Sequence, residues 1–290
     1  MLFCANLLWF DLALANIYER LSRVGKSPEL LKLSDQAIER VVVSKNASST
    51  NRVEALALKG RNQKTRWRLE FDALQSVPAR RQAAMNQALR ESYEAYRAAF
   101  YQDLNHFYSG LAALQMSTIF LDLSAGDDSW MSTFDNDDQA KEYRQKMAKD
   151  VGILRPLVTA SVEAGIRRLP RTDPEYVWAV ISRVDVLFLT EQSELRAITR
   201  YKDVIPKDNP FAWDAAKGQL QLFAALGVKA DLASKVIAAI DSQYQEQDHR
   251  QRNQFRLYFL PVIAWMLRDA VRLASRLNRK STPKPLSVLS

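Results

Sequence analysis

The segment GRNQKTRW, residues 60–67, carries the side chains best suited to bind an anion. Arg61 and Lys64 are three residues apart and Trp67 follows after three more, a spacing that predicts one shared helix face. Guanidinium and ammonium groups donate charge-assisted hydrogen bonds to carboxylates and phosphates. The segment is not a phosphate-binding loop, because it lacks the second Gly and the Gly-Lys pair of that motif.

Two interpretations of this segment remain open. In the first, Arg61 and Lys64 hold an anion or a carboxylate on the concave surface of a helical protein. In the second, which we favour, Gly60 allows two helices to approach closely and Arg61 pairs with an acid of a neighbouring helix. The first interpretation gives the candidate partner-binding residues, which are Arg61, Lys64, Trp67 and Tyr108.

Histidine and cysteine offer little for catalysis or metal binding. A Ser-His-Asp or Cys-His enzyme needs a histidine beside its nucleophile, and the chain has only His106 and His249. His106 lies in FYQDLNHFYSGLAALQ, residues 100–115, where we expect it to cap or pack at the joint between two helices. The single Cys4 excludes an internal disulfide and a multi-cysteine zinc site. We therefore predict no catalytic residue, no metal and no cofactor.

An acidic segment, residues 122–138, contains six aspartates and no basic residue. Asp135, Asp137 and Gln139 have the spacing of the first ligands of a calcium loop. Ala140 occupies the position of the required Gly, however, and no Glu stands at the twelfth position. We expect a solvated loop whose last aspartates cap the next helix. A metal-dependent enzyme that uses this segment is the least favoured hypothesis.

The positive charge of the chain is concentrated near its C-terminus. The net charge of +8 arises within residues 250–290, while residues 1–249 carry equal numbers of acids and bases. We predict a basic amphipathic helix over 250–280 and a flexible tail over 281–290. Four bases at intervals of four share one face of this helix, namely Arg268, Arg272, Arg276 and Lys280. This helix either recruits the chain to an anionic surface, a membrane or nucleic acid, or caps the core with its bases in solvent.

The elements that must position these residues are helices. Hydrophobic residues make up 47% of the chain, and only 8 Gly and 10 Pro interrupt it, which favours an all-α fold of about ten or eleven helices. Single helices are predicted over 79–101, 138–149 and 153–169. Residues 1–50 are expected to form one or more helical hairpins that pack on the repeat domain. For the first segment we favour a core-packing helix over a signal peptide, because Asp11 interrupts the apolar run that a signal peptide would need.

Large aromatic residues recur at intervals of 35 positions, at Tyr108, Tyr143, Trp178 and Trp213. Helical-hairpin repeats place a large aromatic between their two helices and a small residue nearby, which lets the helices pack closely. The spacing predicts a right-handed superhelix of tetratricopeptide-like hairpins, with the repeat domain over residues 51–249.

Five short motifs carry a resemblance to a known family. They are ALKGRNQK (57–64), SYEAYRAAF (92–100), FYSGLA (107–112), YVWA (176–179) and PFAW (210–213). Together they resemble the TRAFs-binding, tetratricopeptide-like region of the apoptosis signal-regulating kinases and of many bacterial proteins. That family has a Gly-Arg-x-x-Lys helix, then Tyr-x-x-Gly-Phe, then Tyr-Ser-Gly-x-Asn.

The resemblance spans roughly residues 50–245 and has two departures. Ala99 stands where the family has Gly, and Ala112 replaces the Asn after Tyr-Ser-Gly. No kinase motif is present in the sequence, so the resemblance implies a scaffold that holds or regulates other proteins. We therefore predict a non-enzymatic interaction module of a signalling or conflict-type system, in the cytoplasm, with a protein or peptide as its partner.

Overall fold

The fold is helical throughout the part of the chain that can be described. The computed structural model describes residues 2–25, 27–126, 128–190, 193–205 and 209–254. Contacts divide the chain into two compact units, Met1–Ile240 and Asp241–Ser290. All contacts discussed below lie within the first unit.

Within the described ranges, eleven α-helices and one 3₁₀ helix form, and no strand does, which confirms the predicted class. None of these helices has an apolar stretch long enough to cross a bilayer. The α-helices are α1 (Leu2–Gly25), α2 (Pro28–Val42), α3 (Ser49–Phe71), α4 (Val77–Ala84), α5 (Gln87–Gln102), α6 (Phe107–Leu123), α7 (Asp137–Arg168), α8 (Pro174–Thr190), α9 (Glu194–Val204), α10 (Pro210–Ala225) and α11 (Ala230–Gln254). The 3₁₀ helix is Asp128–Thr133.

Capping side chains explain many of the helix boundaries. The Asn209 side chain accepts a hydrogen bond from the Ala212 N–H before the Pro that opens α10. Asp173 likewise accepts from the Glu175 N–H at the start of α8. Gly227 follows α10 with a φ of +71°, a conformation that costs glycine little. The predicted caps at Asp173 and Asn209 and the predicted helix end at Gly227 therefore lie at the observed helix boundaries.

Two predictions about helix continuity were wrong. The predicted helix 79–101 is divided into α4 and α5, because Met85 has a non-helical ψ of 70° and Asn86 caps α5 through the Leu89 N–H. The predicted helices 138–149 and 153–169 are one helix, α7, which contains Pro156. The carbonyl that the Pro156 ring crowds belongs to Gly152, the residue type with the most backbone freedom.

The helices stack as an α-solenoid in which each helix mainly contacts its neighbours in the chain. Contacts join α1 to α2 and both of them to α3, and further contacts join α5 to α6, α6 to α7, α7 to α8 and α8 to α9. The most extensive contact is between α3 and α5. One apolar core runs through the helices from α3 onward, and a smaller cluster joins α1, α2 and α3. Such nearest-neighbour packing is characteristic of repeat proteins.

Gly60 is the point of closest approach between α3 and α5. A Cβ atom at this position would lie 2.8 Å from the ring of Tyr96, which is fully buried. The Ser92 hydroxyl also donates a hydrogen bond of 2.9 Å to the Gly60 carbonyl. The predicted close helix contact at Gly60 is confirmed.

The four aromatic residues of the predicted repeat have different roles. Tyr108, Trp178 and Trp213 lie near the starts of α6, α8 and α10, whereas Tyr143 lies within the long helix α7. Trp213 is buried in the core as expected. Tyr108 is 47% exposed, so the prediction that it fills the space between paired helices is wrong.

Candidate functional site

A groove with a volume of about 610 Å³ opens on the first unit. Side chains of α1, α3, α6, α8 and α10 line most of this groove, and α5 and the end of α7 contribute one residue each. The lining helices α6, α8 and α10 alternate along the chain with α7 and α9. The groove size lies within the range of known ligand and peptide sites.

A buried carboxylate organises the contact of α1 with α3 at one side of the groove. Glu19 is fully buried and accepts a hydrogen bond of 2.8 Å from the Thr65 hydroxyl. Arg23 Nε lies 2.9 Å from one oxygen of Glu19, and Arg61 Nε lies 3.2 Å from the other. Arg61 Nη2 also donates to Asn16 Oδ1 at 2.9 Å. The predicted pairing of Arg61 with an acid of a neighbouring helix is confirmed.

One turn further along α3, Lys64 reaches across the groove. Its ammonium Nζ donates a hydrogen bond of 2.9 Å to Gln219 Oε1 on α10. Burial lowers the pKa of Lys64 to about 7, and the positive charges of Arg68 and Arg23 act in the same direction. Asp185 and Glu19 oppose this effect only in part.

Two further donors of this region are buried and unpaired. Gln219 Nε2 and Arg68 Nε have no hydrogen-bond partner within the described part of the chain, although both residues line the groove. A buried donor without an acceptor costs free energy. The groove therefore presents N–H groups that an acceptor from outside the chain would satisfy.

The lining of the groove also contains acidic residues. Asp185 and Glu175 of α8 and Asp214 of α10 line it. The Tyr201 hydroxyl donates a hydrogen bond of 2.6 Å to Asp185 Oδ1. Burial nevertheless raises the pKa of Asp185 to about 7, against the opposing effects of Tyr201 and Lys64. The lining thus combines donors that favour a negative group with carboxyl groups that favour a hydrogen-bond donor.

Aromatic side chains extend the groove towards the α5–α6 joint. The Tyr108 ring packs edge-on against Tyr96 at a centroid distance of 5.9 Å, and the two hydroxyl oxygens are 3.4 Å apart. Trp178 of α8 is half-buried and also lines the groove. These rings provide apolar surface beside the polar groups.

His106 packs between its neighbours at the joint. Its Nδ1 lies 2.8 Å from the Ser109 hydroxyl, and its Nε2 lies 3.4 Å from Glu54 Oε2. The hydrogen bond from His106 lowers the pKa of Glu54, against the opposing effect of burial. Ser109 is fully buried, so its hydroxyl cannot meet a substrate. The contacts match the packing role expected for His106.

Three of the four candidate partner-binding residues, Arg61, Lys64 and Tyr108, line the groove together, and Trp67 does not. Trp67 is fully buried, and its indole N–H donates to the Ala84 carbonyl at 2.7 Å. The prediction for Trp67 was wrong because each step of three residues turns the helix face by about 60°. Two such steps place Trp67 roughly 120° away from Arg61.

The acidic segment contains no site for a metal in its described part. Among the described residues, no three His, Cys, Asp or Glu side chains lie close enough to hold an ion. Asp122 Oδ1 instead accepts a hydrogen bond of 2.8 Å from Arg81. Asn136 caps α7. Asp137 and Asp138, which were predicted to cap this helix, lie in its first turn instead.

The candidate anionic-surface residues lie outside the described residues. They are Arg268, Arg272, Arg276 and Lys280. Their common role therefore stays a prediction from the sequence.

Asp185 and Gln219 are among the groove residues that the sequence analysis missed. Asp185 is a lone acid in the apolar run VWAVISRVDVLFL, residues 177–189, and a lone acid at a buried helix position is a usable signal. Gln219 gave no signal, because its partner Lys64 lies 155 positions away.

Comparison with known families identifies a tetratricopeptide-like region. The profile of a family described as Tetratricopeptide Repeats-Sensor matches residues 10–117, from α1 into α6. No curated protein and no solved structure matches the chain. Repeats of this class generally mediate protein–protein contacts and are generally not enzymes, which supports a protein-interaction scaffold in general terms.

Proposed function

We propose that the chain is a non-enzymatic scaffold whose groove binds a peptide segment of a partner protein. The observation that carries this proposal is the groove itself, whose lining comes mainly from the alternating helices α6, α8 and α10 together with α1 and α3. Helical repeats use such concave surfaces to bind extended chains and partner helices.

An acidic side chain of the partner is the group that fits best beside Lys64. A carboxylate is an acceptor with two oxygens, and it would take hydrogen bonds from Lys64, Gln219 Nε2 and Arg68 Nε at once. Glu175 and Asp214, which also line the groove, would accept N–H groups of the same segment. A free multivalent anion would be repelled by these carboxylates.

The scaffold would act in a cytoplasmic signalling or conflict-type system. The resemblance to the TRAFs-binding region of the apoptosis signal-regulating kinases supports this role, and so does the word Sensor in the description of the matched family. A bound segment would then report the presence of a partner to other proteins. No step of this role requires catalysis.

The proposal is tested by selecting 12-residue peptides from a random display library on the full chain. Ala215→Trp places a large side chain at an exposed groove position, and Ala148→Trp makes the same change on the exposed face of α7, away from the groove. We expect Ala215→Trp to weaken binding of the selected peptides at least about tenfold, measured by calorimetry. Ala148→Trp should leave the affinity unchanged.

A second pair of variants tests the carboxylate contact. Gln219→Glu introduces a negative charge beside Lys64, while Gln221→Glu makes the same change two residues further along α10, at an exposed position outside the groove. We expect Gln219→Glu to weaken acidic peptides about tenfold and Gln221→Glu to have little effect.

Each result has a clear consequence. Peptides that bind Ala215→Trp as well as the original chain would show that the groove is not the binding site. Peptides that are lost in Ala215→Trp but unaffected by Gln219→Glu would keep the scaffold and reject the carboxylate contact.

A further inference from the structure

Two polar side chains of the groove lining, Gln115 and Ser182, make no hydrogen bond within the described part of the chain. Gln115 of α6 is 5% exposed and Ser182 of α8 is 7% exposed, so both are almost entirely enclosed. Both nevertheless line the groove, and no hydrogen bond joins either side chain to a described residue. A polar group that leaves water without gaining a partner costs free energy. Each side chain therefore offers hydrogen-bonding capacity that the fold leaves unused.

The helix periodicity of α6 and α8 brings these side chains into the groove. Each helix lines the groove with residues spaced three and four positions apart, which is the spacing of one helix face. They include Tyr108, Leu111 and Gln115 on α6, and Trp178, Ser182 and Asp185 on α8. Gln115 lies seven positions, or about two turns, after the aromatic Tyr108. Asp185 lies at the same distance after Trp178, on a helix that contacts α6.

Asp185 adds a hydrogen-bond acceptor to these two side chains. Its Oδ1 accepts the hydrogen bond from Tyr201, while its Oδ2 makes no hydrogen bond to a described residue. Asp185 is 8% exposed and lies one helical turn after Ser182 on the face of α8 that lines the groove. We refer to Gln115, Ser182 and Asp185 as the polar patch of the groove.

The surroundings of the polar patch oppose a charged ligand group. Lys64 lies close enough to Asp185 for each of them to shift the pKa of the other. A cation on the polar patch would be repelled by the ammonium of Lys64, and an anion would be repelled by the carboxylate of Asp185. Burying a charge also costs more than burying a neutral polar group. The polar patch therefore favours a neutral group.

Hydrogen-bonding capacity distinguishes among the neutral groups. The Gln115 amide offers two N–H donors and a carbonyl oxygen, the Ser182 hydroxyl can donate or accept, and Asp185 Oδ2 accepts. A ligand hydroxyl has a single donor and would leave at least one of these groups without a partner. A primary amide has two N–H donors and a carbonyl oxygen, so it can pair reciprocally with Gln115 and still donate to Asp185. The primary amide is therefore the complementary group.

We propose that the polar patch binds the primary amide of an Asn or Gln side chain of the partner segment, with Gln115 as the residue that selects it. The inference rests on the proposed function, because it requires a peptide segment in the groove. The ligand amide exchanges two hydrogen bonds with Gln115 and donates its second N–H to Asp185 Oδ2. The segment then has two separate specificity contacts, an acidic side chain beside Lys64 and an amide on the polar patch.

A double-mutant cycle on the full chain tests the pairing. The probes are the 12-residue peptides selected from the random library whose binding is lost in Ala215→Trp. We expect these peptides to carry an Asn or Gln whose replacement by Leu weakens binding about tenfold, measured by calorimetry. The same replacement should weaken binding to Gln115→Leu less than about twofold, because the amide pair is already broken in that variant.

The thermal midpoint, Tm, separates this role from a structural one. Gln115→Leu and Ser182→Ala each remove an unpaired enclosed polar group, so each should weaken binding while Tm is unchanged or rises by about 2 °C. Ser117→Ala is the matched control on α6. Ser117 is fully buried outside the groove lining, and its hydroxyl donates to the Leu114 carbonyl at 3.0 Å. Ser117→Ala should leave the peptide affinity unchanged.

Three outcomes would overturn this proposal and leave the scaffold function standing. In the first, the groove-dependent peptides carry no Asn or Gln, and sensitivity to Gln115→Leu would then assign Gln115 to the peptide backbone. In the second, replacing the peptide amide has the same effect in Gln115→Leu as in the original chain. In the third, Gln115→Leu lowers Tm by more than about 2 °C, which would give Gln115 a structural role. A library that yields no peptide sensitive to Ala215→Trp would instead reject the proposed function, and the amide contact with it.

Discussion

The two turns of α3 that contain Arg61 and Lys64 differ in where their side chains find partners. Arg61 forms an ion pair with Glu19 and donates a hydrogen bond to Asn16 of α1, so both of these partners lie within the chain. Lys64 lies between two sides of the groove with Gln219 as its hydrogen-bond partner, and unpaired donors lie nearby. Both residues are basic, and both lie on α3, three positions apart. The neighbouring helices therefore decide which base is held in an ion pair and which lies in the groove beside unpaired donors.

The largest change in the free energy of unfolding is expected at Trp67, and Tyr108 is the candidate with which it is compared. Trp67→Ala removes a fully buried ring and should lower the free energy of unfolding by about 3–5 kcal/mol. Tyr108→Ala removes a half-exposed ring with edge contacts to Tyr96 and His106 and should cost about 1 kcal/mol. Urea denaturation measures both values. Equal losses would erase the distinction between the packed and the groove-facing candidates.

A smaller effect is expected for Arg61. Arg61→Met leaves the buried Glu19 with Thr65 and Arg23 alone and should lower the free energy of unfolding by about 3 kcal/mol. The control is Arg40→Met, because the half-exposed Arg40 forms a surface ion pair with Asp11 at 2.6 Å and its loss should cost under about 1 kcal/mol. Urea denaturation of both variants checks this, and a loss at Arg61 no larger than at Arg40 would contradict a structural role for the Glu19 cluster.

The smallest change in the free energy of unfolding is expected for Lys64. Its replacement should stabilise the chain, whereas the replacements of Trp67 and Arg61 should destabilise it. Its pKa in the folded chain is about 7, below the ordinary 10.5, so between pH 7 and pH 10 the unfolded chain binds a proton that the folded chain does not. Stability therefore rises with pH in this interval, and the charged form is unfavourable below it. Lys64→Met should be at least about 1 kcal/mol more stable than the original chain at pH 6, with a flatter dependence from pH 7 to pH 10.

Lys229 also has a lowered pKa through burial, and it contributes a rise with pH of the same sign. The difference between Lys64→Met and the original chain at each pH isolates the contribution of Lys64. A Lys64→Met chain that is less stable at pH 6 would mean that Lys64, like Arg61, holds the fold together.

The parts of the fold that depend on local chemistry were predictable from the sequence. The caps at Asp173 and Asn209 and the close contact at Gly60 follow from residue types that act within a few positions. The length of α7 was not predictable, because its Pro156 and Gly152 are ordinary helix breakers that packing against α6 and α8 overrides.

The groove was predictable only in part. A groove lined by alternate helices follows from the repeat, and the pairing of Arg61 with an acid follows from the cost of burying a charge. The contact of Lys64 with Gln219 depends on how several helix pairs stack, and no local pattern encodes that distance in the chain. Trp67 was misplaced by a helix-geometry error that a count of 100° per residue corrects.

The ring of Tyr96 over Gly60 has a thermodynamic consequence for any ligand of the groove. Because the ring occupies the space of a missing Cβ, α3 cannot rotate about its own axis without a clash. Lys64, one turn further along α3, is therefore presented from a backbone that is already ordered before binding. A ligand that contacts Lys64 loses little of its binding free energy to the conformational entropy of α3.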